Sequence, residues 1–270
     1  MRAALAAGAD SCECSLDLGR SRGRVPLSRT GWEWQGQWYP WFDDIHERTI
    51  HYWDGSAFER VERRAGSLIK LVPTPWGAPT FEIDGIKMLP TSKVSPFDDA
   101  RTKVELARVS GRAVLDTCGG LGYFAACALA TGATSILSCE KSPDVIWLRS
   151  HNPWSPRLTP ADSAPATDDS GRLRFINVDV SRHIATLPDG AFGAVLHDPP
   201  RFGIAGELYS LAFYEQLARV LRRGGRLFHY TGMPNKLTTG RNLPAEVTRR
   251  LKQAGFDAKP ALDGVLAVRI

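Results

Sequence analysis

The stretch AVLDTCGGLG, residues 113–122, decides the fold of this chain. A short apolar run ends at Asp116, and a glycine-rich turn then leads directly into an alanine-rich segment, 123–130, that has the composition of a helix. Residues 120–125 match the pattern G-x-G-x-x-G/A, in which backbone without Cβ atoms lets a nucleotide approach the N-terminus of the next helix. The stretch therefore predicts a nucleotide-binding strand, turn and helix, and the nucleotide is either a dinucleotide or S-adenosylmethionine.

Acidic residues end four consecutive strands that the apolar pattern predicts. In chain order they are Asp116, Glu140, Asp179 and Asp198. A single acid at such a position could cap the following helix, but four in register with a glycine turn indicate a ligand site at the carboxyl ends of parallel strands. Glu140 has the usual position for binding a ribose diol, and Asp179 the position for accepting from an adenine amino group.

The motif HDPP, residues 197–200, discriminates best between the two nucleotides. Proline cannot continue a strand ladder, so the chain must leave the sheet here and hold Asp198 at the mouth of the site. A dinucleotide dehydrogenase has no need of this motif, and the chain offers no clear Tyr-x-x-x-Lys or His–Asp proton relay for hydride transfer. Asp116, two residues before Cys118, also fits methyltransferases better. S-adenosylmethionine is favoured over NAD.

The chain divides into three regions by composition and pattern. Residues 1–25 are interpreted as a mobile tail, and residues 26–95 as a β-rich N-terminal subdomain or lid with hairpins at 49–61 and 81–88. Residues 96–270 alternate strands and helices, which predicts an α/β fold: a Rossmann-like three-layer αβα sandwich with a mostly parallel, seven-stranded sheet. We expect residues 153–171 to form a loop insertion.

Two further expectations concern the ends of these regions. The last two strands, near 257–262 and 265–270, are close enough in sequence for a hairpin, so the final strand could run antiparallel. Four tryptophans fall within residues 32–41, and we expect them to fill the core of a small sheet rather than to line a pocket over a cation.

The bulk composition excludes several classes of protein. The net charge of +5 is spread over the chain without a polybasic block, which disfavours nucleic acid as a partner. No apolar run approaches the roughly 20 residues of a membrane span, so we expect no membrane association. Five cysteines without zinc spacing indicate a reduced, cytoplasmic protein without a metal. A homodimer is compatible with the sequence.

These residues belong to a longer pattern, which reads LDTCGGLGYFA, CEKSPDVIWL, HNPWS, HDPPRF and AGELYSLAFYEQLARVLRRGGRLFHYTGMPN. Over about residues 80–256 the chain resembles the predicted S-adenosylmethionine-dependent methyltransferases first noted in archaea, a branch of the class I Rossmann-like methyltransferases. The resemblance implies that Asp116, Gly120 and Gly122 hold the methionine part, Glu140 the ribose and Asp179 the adenine, with Asp198 lining the reaction site.

One residue departs from the family pattern: Cys118 replaces the usual first glycine of the turn. Its thiol could be taken for a nucleophile, but we expect it to serve in packing. The full set that we expect at the cofactor is Asp116, Cys118, Gly120, Gly122, Tyr123, Glu140, Lys141, Asp179, Val180 and Asp198.

The sequence favours a small-molecule acceptor over RNA or DNA. Methyltransferases that act on amino groups of nucleic acids often place Tyr or Phe directly after Asp-Pro-Pro, whereas Arg201 stands here, and no cysteine nucleophile lies near the motif. Arg201 could clamp a carboxylate or pair with Glu207. The candidate catalytic residues are Asp198, Arg201, Tyr209, Ser210 and Asn152, and His229 and Tyr230 are expected near the same mouth.

Two alternatives remain open at this stage. Some relatives resemble enzymes that need no acceptor and close the aminocarboxypropyl arm of S-adenosylmethionine on its own amine, which gives azetidine-2-carboxylate and methylthioadenosine. The other alternative is a degenerate cofactor-binding module without activity, and the four strand-end acids argue against it.

Overall fold

The computed structural model describes residues 1–159, 165–232 and 242–270. It divides into two compact units. The N-terminal unit contains Met1–Pro96 together with His151–Trp154, and the sheet unit contains Phe97–Ser150 together with Ser155–Ile270. Among the described residues, no helix is both long enough and apolar enough to span a bilayer.

The N-terminal unit is built from short antiparallel strands. Its elements are α1 (Arg2–Ala6), β1 (Ser11–Cys14), β2 (Gly23–Pro26), β3 (Gly31–Trp34), β4 (Gln37–Pro40), β5 (His51–Trp53), β6 (Phe58–Arg60), β7 (Glu62–Ala65), β8 (Ser67–Val72), β9 (Thr80–Ile83) and β10 (Ile86–Lys87). Strands β10, β9, β8 and β7 form a four-stranded sheet in that order, and the others form two-stranded hairpins. Both hairpins expected from sequence are present, as β5–β6 and β9–β10.

Residues 1–25, interpreted from sequence as a mobile tail, carry regular elements in the structure. Strand β1 pairs antiparallel with β2, which supplies partners for the backbone of both segments. Val25 is fully buried, and Trp154 donates its indole N–H to the carbonyl of Leu18 at 3.2 Å. The sequence pattern missed this pairing because each strand is only four residues long.

Aromatic side chains fill the core of the N-terminal unit, as the tryptophan content indicates. Trp32 is buried and stacks on Tyr39, with ring centroids 4.5 Å apart, and Phe58 stacks on Phe42 at 4.2 Å. Offset and edge-on ring contacts of this kind add to the free energy that burial of apolar area supplies. Trp38, by contrast, is half-exposed.

The sheet unit alternates strands and helices from its start. Its elements are α2 (Pro96–Ala107), β11 (Ala113–Asp116), α3 (Tyr123–Ala130), β12 (Ser135–Glu140), α4 (Pro143–Ser150), β13 (Ala166–Thr167), β14 (Leu173–Asn177), α5 (Val180–His183), β15 (Phe192–His197), α6 (Leu211–Val220), β16 (Leu221–Tyr230), α7 (Leu243–Gln253), β17 (Phe256–Ala261) and β18 (Gly264–Arg269), with 3₁₀ turns at Ile184–Thr186 and Gly206–Tyr209.

The large sheet has the order β13-β14-β12-β11-β15-β16-β18-β17 within the described residues. Strands β14, β12, β11, β15 and β16 are parallel. The chain runs outward from β11 to β12 and β14 and then returns to β15 and β16 on the other side of β11. Because such crossovers are right-handed, the helices of the two halves lie on opposite faces, and the order reverses between β11 and β15. A ligand site is expected at that point of reversal.

The strand count differs from the expected seven. The described part of the sheet has eight strands, because the two-residue strand β13 pairs antiparallel with β14 at one edge, within the segment expected to be a loop. Residues 160–164 of that segment lie outside the described residues. The expected terminal hairpin is present: β17 and β18 pair antiparallel, and β18 also runs antiparallel to β16.

Candidate functional site

The glycine turn after β11 has the backbone conformation that the sequence requires. Gly120 has φ +49° and Gly122 has φ +82°, values in the left-handed region that favours glycine. Gly122 is the N-cap of α3, and the following residue, Tyr123, is buried as the first residue of that helix. The turn therefore presents the N-terminus of α3 at the carboxyl end of the sheet, where its backbone N–H groups can face an electronegative ligand.

Glu140, at the end of β12, is bound directly to this turn. One carboxylate oxygen accepts from the N–H of Gly120 at 2.9 Å, and the other accepts from the N–H of Ser142 at 2.9 Å. Burial raises the pKa of Glu140, and these backbone hydrogen bonds oppose the rise. A carboxylate has about four acceptor positions, so Glu140 can still accept from a hydroxyl of a vicinal diol.

A cavity of about 240 Å³ opens beside Glu140. Five of the residues expected at the cofactor line it: Cys118, Glu140, Lys141, Asp179 and Val180. The rest of the wall is formed by Thr117, Val178, Pro200, Ile204, Ala205, Glu207 and Leu208. The aliphatic walls and the polar end at Glu140 give the cavity the character of a slot for a nucleoside.

Both carboxylate oxygens of Asp179 already have partners within the protein. It is the N-cap of α5, where one oxygen accepts from the backbone N–H of Ser181 at 3.0 Å, and the other oxygen forms an ion pair with Lys141 at 2.7 Å. Burial acts to raise the pKa of Asp179, but the hydrogen bonds from Lys141 and Ser181 lower it overall. An adenine amino group would have to share the oxygen held by the exposed side chain of Lys141.

Cys118 lines the cavity as a protonated thiol. Burial and the nearby carboxylate of Glu140 raise the pKa of Cys118 well above the ordinary value for a thiol. A thiol in this state is a poor nucleophile, which agrees with the expected packing function.

Asp116 is fully buried below the turn. One carboxylate oxygen accepts from the hydroxyl of Ser138 at 2.8 Å, and the other has no hydrogen-bond partner among the described residues. Burial raises the pKa of Asp116 to about 6, against the effects of Ser138 and of Arg149. Arg149 was missed by the sequence analysis.

Asp198 directly follows β15 and is half-buried. Burial raises the pKa of Asp198 to about 7, and the charge of Lys103 opposes that rise, while the carboxylates of Asp99, Asp263 and Asp116 add to it. A carboxylate that titrates near neutral pH can accept a proton from a substrate under physiological conditions.

Lys103 is a second residue that the sequence analysis missed. It is 1% exposed, and its ammonium lies 2.6 Å from Asp99 and 3.1 Å from Asp263, and 4.3 Å from the centre of the Tyr230 ring. The sequence does contain a signal for it. Lys103 stands within the apolar stripe of α2, between the buried residues Ala100 and Val104, where a solvated lysine has no place.

The remaining residues expected in catalysis mostly have local structural functions. The Tyr209 hydroxyl donates to the carbonyl of Pro200 at 3.1 Å, and burial raises the pKa of Tyr209. The Ser210 hydroxyl caps α6 by accepting from the N–H of Phe213 at 3.1 Å. Arg201 is exposed and forms no ion pair, with Glu207 or any other acid, within the described part of the chain.

Two histidines at this edge are buried in the sheet and do not face a cavity. His197 accepts from the Thr117 hydroxyl at 2.7 Å and donates to the Leu208 carbonyl at 3.1 Å, and burial lowers the pKa of His197 to about 4. His229 accepts from the Tyr214 hydroxyl at 2.8 Å, and burial lowers its pKa also. The imidazole of His229 is therefore bound within the core instead of lying at the mouth.

Asn152 belongs to the N-terminal unit. It is 4% exposed, and its side-chain oxygen accepts from the backbone N–H of Trp154 at 3.1 Å. This bond stabilises the turn of the NPWS motif. Among the described residues, no group of three or more His, Cys, Asp or Glu side chains is arranged to hold a metal ion.

Comparison with known proteins gives one close relative in sequence. No family model matches the chain. It is 40% identical over 220 residues to the uncharacterized protein MJ1233 of Methanocaldococcus jannaschii, a match that covers 80% of this chain and 72% of that protein. The chain belongs to the same family as MJ1233.

Solved structures show the fold of this MJ1233 family. A spermidine synthase in complex with the transition state analogue AdoDATO matches with a TM-score of 0.57 and 14% identity, over 83% of this chain and 80% of that chain. The spermidine synthase from Thermotoga maritima matches with a TM-score of 0.56 and 14% identity, over 84% and 81%. Both matches cover more residues than the sheet unit contains. At this identity they establish a common fold, which is mixed α/β with a large, mostly parallel sheet.

Proposed function

We propose that this chain is an S-adenosylmethionine-dependent transferase, with methyl transfer to a small molecule as its reaction. The observation that supports the proposal most directly is the carboxylate of Glu140. It is tied to the N–H of Gly120 and stands at the polar end of a nucleoside-sized cavity. A glycine turn joined to an acid on the neighbouring strand is the arrangement that binds a ribose beside a helix N-terminus.

The residues at the strand ends fit this ligand in three parts. The glycine turn and Asp116 would hold the methionine part, because Asp116 has a buried oxygen without a partner among the described residues. Glu140 would hold the ribose, and the walls formed by Val178, Val180 and Leu208 would enclose the base. When bound, the ligand supplies a methyl group on a sulfonium, which is already a good leaving group.

The chain's own contribution to the chemistry is positioning and a base. Asp198 has a pKa of about 7, so at neutral pH it is ionised in a large fraction of molecules and can take a proton from the acceptor. Lys103 keeps Asp198 from becoming a permanently protonated acid, because its charge favours the carboxylate form. Holding the acceptor in line with the sulfonium would provide much of the remaining acceleration.

A small molecule is the acceptor that the charge distribution favours. The net charge of +5 is spread over the whole chain, and Arg201 follows Asp-Pro-Pro where an aromatic residue would stack on a flipped base. The exposed guanidinium of Arg201 is free to bind a carboxylate of the acceptor.

A second candidate reaction rests on the same base. An amine acceptor could belong to S-adenosylmethionine itself, in which case Asp198 would deprotonate that amine and cyclisation would release methylthioadenosine and azetidine-2-carboxylate. The neutral-range pKa of Asp198 suits this proton transfer equally well.

Binding and turnover experiments test the proposal in order. Titration calorimetry with S-adenosylmethionine should show saturable binding, and absence of binding would refute both reactions. Incubation with S-adenosylmethionine alone, followed by chromatography of the nucleosides, then separates them. No release until small amines, phenols or carboxylic acids are added supports methyl transfer, whereas methylthioadenosine without any acceptor supports cyclisation.

A further inference from the structure

Arg149 is a buried cation that has no ion-pair partner among the described residues. It lies in the last turn of α4, and its side chain is 3% exposed. None of its three guanidinium nitrogens has a hydrogen-bond partner among the described residues, and the guanidinium lies 4.4 Å from the centre of the Phe175 ring. Burial of an unpaired charge is costly in free energy, so the presence of Arg149 at this position calls for an explanation.

The guanidinium lies directly against the glycine turn. A Cβ atom added to Gly122 would stand 2.8 Å from the Arg149 Cζ, and one added to Gly119 would stand 3.3 Å from its Nη1. Real Cβ atoms essentially never approach as closely as the first of these distances. The absence of a side chain at Gly122 therefore makes room for Arg149, whereas a Cβ at Gly119 would meet the Ser138 hydroxyl first, at 2.4 Å.

Two carboxylates at the ends of the neighbouring strands β11 and β12 attract the Arg149 guanidinium. Asp116 at the end of β11 and Glu140 at the end of β12 both interact electrostatically with Arg149, and neither forms an ion pair with it within the described residues. Burial lowers the pKa of Arg149 to about 10, which still leaves it charged at neutral pH. Burial raises the pKa of Cys139 to about 12 and raises the pKa of Cys118 well above the ordinary thiol value, so both thiols are neutral.

We propose that Arg149 is a positioning residue of the cofactor site. Its guanidinium packs against the glycine turn, and its charge helps to keep Asp116 and Glu140 ionised. The two carboxylates can then bind a ligand that offers ammonium and hydroxyl donors. This inference rests on the proposed function, because the donors are those of the methionine amine and the ribose diol. Burial raises the pKa of both carboxyls, and the attraction of the Arg149 charge opposes that rise. Its loss should raise both values and leave the carboxyls protonated at higher pH.

The test compares Arg149→Met, which keeps the volume without the charge, with Arg149→Lys, which keeps the charge. Arg174→Met is the matched control, because Arg174 is exposed on β14, next to Phe175. S-adenosylmethionine affinity is measured by calorimetry between pH 5.5 and 9 for each variant in the full chain. Titration of the ligand itself is common to all variants and cancels in their ratios.

We expect Arg149→Met to weaken binding about tenfold or more at pH 7 and to recover much of that loss at pH 9. Arg149→Lys should keep the pH profile of the wild type with a smaller loss, and Arg174→Met should match the wild type throughout. Wild-type affinity in Arg149→Met, or a loss that is equal at every pH, would refute the inference and leave a packing function.

Separate controls distinguish a folding defect, a failure of the proposed function and a failure of the inference about Arg149. If Arg149→Met does not fold, as judged by its melting curve, Arg149→Lys decides. A wild-type pH profile of binding in Arg149→Lys supports the inference that Arg149 acts through its charge, and a shifted pH profile refutes it. Failure of the wild type to bind S-adenosylmethionine would refute the proposed function itself, whereas normal wild-type binding with no effect at residue 149 would refute only the inference.

Discussion

The two halves of the candidate site hold their carboxylates by different means. In the half that we propose for the cofactor, formed by the glycine turn with Glu140 and Asp179, backbone N–H groups of Gly120, Ser142 and Ser181 bind the carboxylates, and Asp179 also pairs with the exposed Lys141. In the group that we propose for the reaction, Asp99, Asp198 and Asp263, which we call the reaction half, the nearby cation is the buried ammonium of Lys103. Backbone donors are fixed once the fold forms, whereas a single side chain controls the charge of the other half. The cofactor half should therefore tolerate changes that disable the reaction half.

The strongest test of this contrast is Asp198→Asn. It removes the base but changes neither the glycine turn nor Glu140, so we expect turnover to fall by about 10³-fold. The affinity for S-adenosylmethionine should change less than about threefold by calorimetry, because Asp198 is not tied to the turn. Asp257→Asn, on the exposed face of β17, is the control and should retain full turnover. Near-normal turnover in Asp198→Asn would remove this residue from the mechanism.

The next largest effect is expected for Lys103→Met. The substitution leaves the half-buried Asp99 and Asp263 without their cation, and we expect a loss of about 3 kcal/mol in the free energy of unfolding, measured with urea. It should also move the acidic limb of the pH–rate profile upward, because the charge that favours ionised Asp198 is gone. An unchanged profile in the folded variant would mean that Lys103 acts only in stability.

A smaller effect should follow from Glu140→Gln in the cofactor half. The amide keeps one acceptor oxygen but places an NH₂ group beside a backbone N–H, so we expect S-adenosylmethionine affinity to fall about tenfold. Glu207→Gln is the matched control, since Glu207 lines the same cavity and forms no bond to the turn. Equal losses in both variants would show that the cavity responds to net charge and not to the Glu140 geometry.

The smallest expected effect is a difference in pH dependence between cofactor binding and turnover. The pKa of Asp116 is about 6 and the pKa of Asp198 is about 7, and both groups act as carboxylates. As the pH falls, turnover should therefore decline through about pH 7 and cofactor binding about one unit lower. At intermediate pH the wild type should bind S-adenosylmethionine and turn over slowly. Coincident midpoints for calorimetric binding and for kcat/KM would remove the distinction.

The same contrast explains how much the sequence could predict. The glycine turn and Glu140 follow from contiguous motifs because backbone geometry positions them, and the strand order follows from the alternation of strands and helices. Lys103 and Asp263 come from positions 160 residues apart, and no local pattern joins them. Only the interruption of the apolar stripe of α2 by Lys103 indicated that a buried charge was needed there.

Local chemistry gives some of the polar residues expected at the mouth a structural function as well. Ser210 immediately precedes a helix, and a serine in that position most often caps it, as it does here. Glycine patterns were interpreted only for the ligand, so the space that Gly119 and Gly122 leave for Arg149 could not be foreseen. Buried charges of this kind are determined by three-dimensional packing, which a single sequence does not reveal.

The membership of His151–Trp154 in the N-terminal unit has a consequence for dissecting the protein. The backbone passes from one unit to the other at three places, after residues 96, 150 and 154. A fragment that begins at Phe97 would keep these four residues but lose Leu18, which receives the Trp154 indole N–H, and Tyr52, whose ring packs on His151. A single cut in the chain therefore cannot separate two whole units. Protease mapping of the N-terminal unit has to include residues 151–154, which are distant in sequence from the other residues of that unit.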